Sequence, residues 1–154
     1  MKYENQIIQG DALEVLKTLP DESIDCCVTS PPYNKHSANR GKGINNNWKN
    51  AGISFGTSND DLPEEEYQAQ QKQVIRELVR ILKPDGSIFY NHKYRIVNHG
   101  IISPELWLGE FFVRQVIIWN KGGSPNTDII RFMPIYEQIY WITKERKTPY
   151  FTKQ

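Results

Sequence analysis

Cysteine is scarce in this chain: two residues in 154, and they are neighbours, Cys26 and Cys27. On a strand they would point to opposite faces, and no third cysteine exists to bridge either one or to complete a metal site. Neither a disulfide framework nor a metal centre is expected. Long apolar runs are missing too. No window approaches the roughly 18 consecutive apolar residues of a membrane-spanning helix, so no membrane partner is expected. Met1-Lys2-Tyr3-Glu4-Asn5 leads into no apolar core of a secretory signal. A reduced, cytoplasmic protein is the economical reading. Nor does one sign of charge dominate, with 19 Lys and Arg against 18 Asp and Glu and a net charge of +1. A strongly basic domain advertises phosphate binding; this chain does so only through local patches, if at all. What is present is aromatic: 6 Phe, 8 Tyr and 4 Trp, 12% of the chain, too rich for a disordered sequence. The length fits one domain able to bury a core.

Read in order, Asn5 to Gln9 is a short strand candidate ended by Gly10-Asp11. Leu13, Val15, Leu16 and Leu19 recur at helical spacing and Pro20 stops them, which predicts a helix over 12–19. Ile24 to Val28 reads as a buried strand that empties into Thr29-Ser30-Pro31-Pro32-Tyr33-Asn34, where two prolines forbid both helix and central strand. Residues 34–61 are polar and glycine-bearing, a long loop expected to be functional and mobile. Pro63 and the acidic residues around it suit a helix N-terminus. Tyr67, Val74, Ile75, Leu78, Ile81 and Leu82 give that helix one apolar stripe. A turn is expected at Lys83-Pro84-Asp85-Gly86, a strand over 87–91, a short helix from Pro104 to Phe111, and strands over 113–119 and 135–143. Strands alternating with helices, then two strands together, describe an α/β sheet, mixed, with an antiparallel edge.

In open α/β sheets ligands sit beyond the carboxyl ends of strands, the position of Thr29 to Asn34. That loop offers a hydroxyl, prolyl carbonyls and a phenol ring. Oxygens of this kind accept hydrogen bonds from an amino group, and the ring of Tyr33 can stack on a flat ligand. Asn91, His92 and Lys93 follow a strand and belong to the same rim, as do Asn120 and Lys121. His36, Arg40, Lys42 and Lys49 give the long loop a positive bias suited to DNA, as candidate contacts together with Asn34, Asn91 and Lys93. His36 on its own, like His99, reads as a plain loop residue.

Gly10-Asp11-Ala12-Leu13-Glu14-Val15-Leu16, then Leu19 to Asp25, then Thr29 to Asn34 resemble the amino-directed DNA methyltransferases. More narrowly they resemble the permuted (beta) group, in which the Pro-Pro-Tyr half precedes the glycine-rich cofactor half. Glu66-Tyr67-Gln68, Leu82 to Gly86, Phe89 to Lys93 and Ile117 to Lys121 agree, in order and over nearly the whole chain. The resemblance implies a Rossmann-like methyltransferase fold and methyl transfer from S-adenosylmethionine to the exocyclic amino group of a base flipped out of double-stranded DNA. It implies that Ser30 and the Pro31 carbonyl accept the amino hydrogens, that Pro32 and Tyr33 complete the base pocket, and that Asp11, Thr29 and Ser30 lie beside the cofactor. No cysteine nucleophile is needed. The family's Ser-Pro-Pro-Tyr form is associated with cytosine-N(4), which places cytosine slightly ahead of adenine-N(6).

One element of the pattern is missing. The cofactor half carries an Asp-Pro-Phe-x-Gly-x-Gly type loop, and no such string occurs in 1–154. Gly41-Lys42-Gly43 and Gly122-Gly123 lack the strand-then-helix setting of a cofactor loop. The expected fold is therefore incomplete, with strand edges unpaired and weak or no binding of S-adenosylmethionine by this chain alone. A missing cofactor half, or self-association, would fill the gap. A non-catalytic module that binds DNA or a partner on the same scaffold remains the alternative class.

Overall fold

The computed structural model describes residues 4–34, 62–98, 100–123, 132 and 134–145. Its longest helix shows why this sequence folds where it does. Helix α2, Glu64–Ile81, follows α1, Ala12–Lys17, and strand β1, Ile24–Thr29. Glu64, Glu65 and Glu66 occupy the first turn of α2 and Arg80 the last, each sign at the helix end whose partial charge it complements. Tyr67, Gln71, Ile75, Leu78 and Ile81 form its buried stripe, at three- and four-residue spacing. Arg80 also ties α1 to α2. Its guanidinium donates to the carbonyls of Leu16 (2.9 Å) and Leu19 (3.0 Å), at and just beyond the end of α1, and it pairs with Asp21.

The chain continues through β2 (Leu82–His92), β3 (Arg95–Val97), β4 (Gly100–Ile102), helix α3 (Glu105–Leu108), β5 (Val113–Asn120) and β6 (Tyr136–Thr143). The main sheet has the order β1-β2-β6-β5; β1 and β2 are parallel, and the other two pairings are antiparallel. This is the mixed α/β sheet expected from the sequence. In register, Ile88 faces Ile142 and Tyr90 faces Tyr140. These four, with Ile75, Leu82 and Trp107, are wholly buried and form the core beneath α2 and α3. The opposite face carries Val28, Phe89, Trp141, Ile139, Ile117 and Trp119 in register. Phe89 and Trp141 stack there at 6.0 Å, with Arg114 lying 5.1 Å over the indole.

Several expectations are corrected. Residues 6–9 form no strand, and Ile7 is fully exposed. A strand exists only with a ladder partner, and the one strand paired with β1 among the described residues is β2. The expected turn at 83–86 is not a break between elements. Ile24 faces Leu82 and Cys26 faces Ser87, so these residues loop out as an irregularity within β2. Gly86 permits it, because a Cβ there would meet Leu82 at 2.7 Å and the Asp25 carbonyl at 2.9 Å. The helix expected to reach Phe111 stops at Leu108, before Gly109. The β3–β4 hairpin was not foreseen; Asn98, at φ 49, supplies its left-handed turn residue. Cys26 is exposed and Cys27 packs against the core, on opposite faces as expected. The long loop lies, from 35 to 61, outside the described residues. None of the described helices is long and apolar enough to cross a membrane.

Candidate active site

The Pro-Pro-Tyr loop leaves the carboxyl end of β1 and is held from below. Tyr67, on α2, donates its hydroxyl hydrogen to the Pro32 carbonyl at 2.7 Å and touches His92 Nε2 at 2.7 Å. His92, the last residue of β2, directs Nδ1 at the Lys93 carbonyl, 2.6 Å away. A neutral imidazole and one phenol carry two hydrogens between them. Three contacts that end on two carbonyls need three, so one contact always lacks a hydrogen while His92 is neutral. Neutral it stays: burial pushes its pKa down to about 4, opposed by its bond to the Lys93 carbonyl and aided to a lesser degree by the Arg95 and Lys93 cations. Arg95 is 6% exposed and lies 4.7 Å over the Tyr67 ring. Its guanidinium is engaged by Glu64 through two hydrogen bonds, at 2.7 and 2.8 Å.

Tyr33 sits on this floor, 9% exposed, with its ring 4.5 Å from that of His92 and Lys93 Nζ 5.9 Å from the ring centre. Its hydroxyl is 2.8 Å from Ser30 Oγ and accepts from Asn91 Nδ2 at 3.2 Å. Burial and the neighbouring Glu137 raise the pKa of the phenol, which remains protonated. Asn91 also donates to Glu137 at 3.0 Å, and Lys121 donates to the other oxygen of that carboxylate at 2.8 Å. Burial works against the ionised carboxyl of Glu137, but the hydrogen bonds from Lys121 and Asn91 outweigh it and its pKa is lowered.

The structure thus brings Ser30, Pro31, Pro32, Tyr33, Asn91 and Lys93 to one rim. Thr29 ends β1 opposite Tyr90, half-buried, and Ser30 is exposed. Asp11 is elsewhere engaged: its carboxylate caps α1 by accepting from the Glu14 amide at 3.1 Å, on the exposed side of the chain. Asn34 corrects its reading as a DNA contact. The side chain is 1% exposed, donates to the Leu62 carbonyl (2.9 Å) and accepts from the Leu62 amide (2.8 Å), so it clamps residue 34 to residue 62. Its φ of 50 is one that Asn tolerates. Asn91 likewise turns into the site, toward Tyr33 and Glu137. His36, Arg40 and Lys42 lie outside the described residues.

Sequence reasoning missed Glu137 and the hydroxyl of Tyr67. The one carried a faint signal, a carboxylate inside an aromatic strand; the other was read as a member of an apolar stripe and of the Glu66-Tyr67-Gln68 match, with no role for its hydroxyl. A shallow groove of 420 Å³ lies away from this rim, lined by Leu108, Phe111, Val116 and Tyr140 among others, and includes none of the Pro-Pro-Tyr residues.

Residues 24–154 match the model of a family described as DNA methylase. Type II methyltransferase M.HinfI of Haemophilus influenzae is 33% identical over 157 residues, covering 96% of this chain and 40% of that protein. M.BglII of Bacillus subtilis is 32% identical over 158 residues, covering 97% and 38% respectively. Among solved structures, the DNA modification methylase TTHA0409 of Thermus thermophilus, complexed with S-adenosyl-L-methionine, superposes with a TM-score of 0.59 at 23% identity, covering 94% of this chain and 55% of its own. The cytosine-N4-specific PvuII DNA methyltransferase gives 0.59 at 22%, covering 88% and 48%. At such identity these two carry the fold, an S-adenosylmethionine-dependent methyltransferase sheet. The chain spans about two fifths of the curated relatives it matches and about half of the structures. With the match running from β1 to the end of the chain, and the Pro-Pro-Tyr loop standing where that sheet opens, the chain belongs to the DNA methylase family.

Proposed function

We propose that this chain is the Pro-Pro-Tyr half of a DNA methyltransferase that moves a methyl group from S-adenosylmethionine to the exocyclic amino group of a flipped base. The observation that carries the reading is the rim itself: Ser30 exposed at the end of β1, beside the Pro31 carbonyl and bonded to the Tyr33 hydroxyl. Ser30 Oγ and the Pro31 carbonyl accept the two hydrogens of the amino group, which orients its nitrogen and raises its electron density. Tyr33 supports the base from the floor built by His92 and Tyr67. Cytosine-N(4) is the slightly favoured target, because the motif begins with Ser30.

The residues present fit one wall of a site for S-adenosylmethionine. Thr29 and Ser30 offer hydroxyls at an open strand end, while the Asp11 carboxylate is used as the cap of α1. The cofactor, when bound, supplies an activated methyl group. A second wall is required, because good pockets enclose about 70–90% of a ligand of this size. We assign that wall, and the cover for the open face of the sheet, to a glycine-rich half outside 1–154.

Ser30→Ala in the complemented enzyme tests the assignment. A loss of tens- to hundreds-fold in transfer rate, on the order expected for one acceptor or donor at a reacting group, is the expected result. An unchanged rate would remove Ser30 from the site. A non-catalytic binding module is the second reading, favoured by one observation: Ser30 and Tyr33 satisfy each other and Tyr33 is nearly covered. Such a module would hold DNA with no methyl transfer under any complementation.

A further inference from the structure

The Pro-Pro-Tyr loop is tied to the N-terminal end of α2 at two points, one on each side of Tyr33. Before it, the Pro32 carbonyl accepts from the Tyr67 hydroxyl at 2.7 Å. After it, the Asn34 amide takes both polar groups of the Leu62 backbone, donating to the carbonyl at 2.9 Å and accepting from the N–H at 2.8 Å. Leu62 and Tyr67 flank the start of α2. This clamp is dry: Asn34 is 1% exposed and Leu62 8%, so the Leu62 groups rely on the amide rather than on water.

The φ of Asn34 is 50, in the left-handed region. Glycine adopts that conformation more easily than asparagine. What glycine cannot supply is the amide. Asparagine joins the two properties in one residue, turning the chain after Tyr33 and fastening it there. Tyr33 lies between the anchors with its ring 4.5 Å from that of His92. Fixed backbone points one residue to either side leave that ring little play. A ring so held meets a flat ligand without first having to be ordered, which is the advantage of preorganisation.

We propose that Asn34, acting through the Leu62 backbone, is a positioning residue that presets Tyr33 for the flipped base. Buried as it is, Asn34 makes no contact with the base itself; its effect passes through the backbone of Tyr33. The same two bonds join the Pro-Pro-Tyr loop to α2, so the support for the base and the helix beneath it hold one geometry.

The use of Tyr33 on a base rests on the methyl-transfer reading; the hold on Tyr33 rests on the chain alone. Two measurements keep them apart. In the first, the full chain is labelled with ring-¹³C tyrosine, and the Tyr33 signals are identified by their loss in Tyr33→Phe. The wild-type chain should show a nuclear Overhauser contact between the Tyr33 and His92 rings. Asn34→Gly keeps the left-handed backbone and removes both bonds; it should displace the Tyr33 signals and weaken that contact. Asn98→Gly is the control, since Asn98 is an exposed turn residue at φ 49, and it should leave Tyr33 unmoved. Unmoved Tyr33 signals in folded Asn34→Gly, or equal displacement in both variants, overturn the proposal. Should Asn34→Gly fail to fold, Asn34→Asp replaces it, keeping the bond from the Leu62 N–H and losing the one to the Leu62 carbonyl; unmoved signals there overturn the proposal equally. In the second, the chain complemented with a cofactor half is assayed on duplex DNA, with rates referred to the folded fraction. Asn34→Gly should lower kcat about tenfold, with KM for DNA changed less than about twofold because phosphate contacts carry most of the affinity. An unchanged kcat overturns the positioning role. Complete absence of transfer by the wild-type chain, with Tyr33 still displaced in Asn34→Gly, leaves the hold on Tyr33 standing and removes the functional reading.

Discussion

Ile88, Tyr90, Tyr140 and Ile142 on one face of the sheet are wholly buried, whereas Val28 and Trp119 on the other face stand 78% and 50% exposed. Both faces are built from the same kinds of residue, so composition does not explain the difference. What separates them is cover: α2 and α3 lie over the first, and none of the described helices lies over the second. Parallel strands normally have both faces covered, and among the described residues β1 is a parallel strand with an open face and one open edge. The covered face holds the chain together; the open face, under the proposed function, waits for the rest of a methylase. The Pro-Pro-Tyr loop rests on Tyr67 and His92 of the covered side, whereas Asn91 and Glu137 stand in the open-face register with Ile139 and Trp119.

Substitutions that attack the two faces should therefore differ by several kcal/mol in the isolated chain. Trp107→Ala should cost most. Its indole is wholly buried against Tyr67 and His92 and donates to the Tyr90 hydroxyl at 3.3 Å. A loss of about 3–5 kcal/mol is expected from truncation of a buried aromatic, read by denaturant unfolding. Acid comes next. His92 has a folded-state pKa of about 4 against an ordinary 6.5, so the unfolded chain binds the proton more readily. The stability held by keeping it neutral is complete above pH 6.5 and is lost as pH falls toward 4, by roughly 3 kcal/mol in all. Unfolding curves between pH 7 and pH 4 should show this fall, and His92→Asn should flatten it.

Tyr67→Phe is smaller, about 1–3 kcal/mol, since it leaves the Pro32 carbonyl and the His92 ring without their shared partner. Val28→Ser should be smallest, within about 0.5 kcal/mol for the isolated chain, because the side chain has little cover to lose. The same substitution should weaken association with a complementing half, measured by titration of one with the other. A large destabilisation of the isolated chain by Val28→Ser would mean that the open face is covered after all.

The elements legible in the sequence were those with a period or a stop. The α2 stripe from Tyr67 to Ile81, the Cys26-Cys27-Val28 strand and the two late strands all carried local patterns that the packing then used. The errors arose where pairing overrides local preference. Asn5 to Gln9 has strand composition but no ladder partner, and Lys83 to Gly86 has turn composition but bulges within β2. The rim was half legible. Ser30, Tyr33, Asn91 and Lys93 followed from their places after strands. Glu137 lies 107 positions beyond Ser30 and meets the site only because β6 turns antiparallel. Asn34 carried no sign that its amide would be used on the Leu62 backbone.

The central claim, that this chain is one half of a methyltransferase, is tested most directly by methyl transfer to duplex DNA. Labelled S-adenosylmethionine is supplied to the chain alone, to a glycine-rich cofactor half alone, and to the two together. The account predicts labelled amino-methylated base only in the mixture, abolished or strongly reduced by Tyr33→Ala. Transfer by the chain alone, or transfer by the mixture that Tyr33→Ala leaves unchanged, would contradict it.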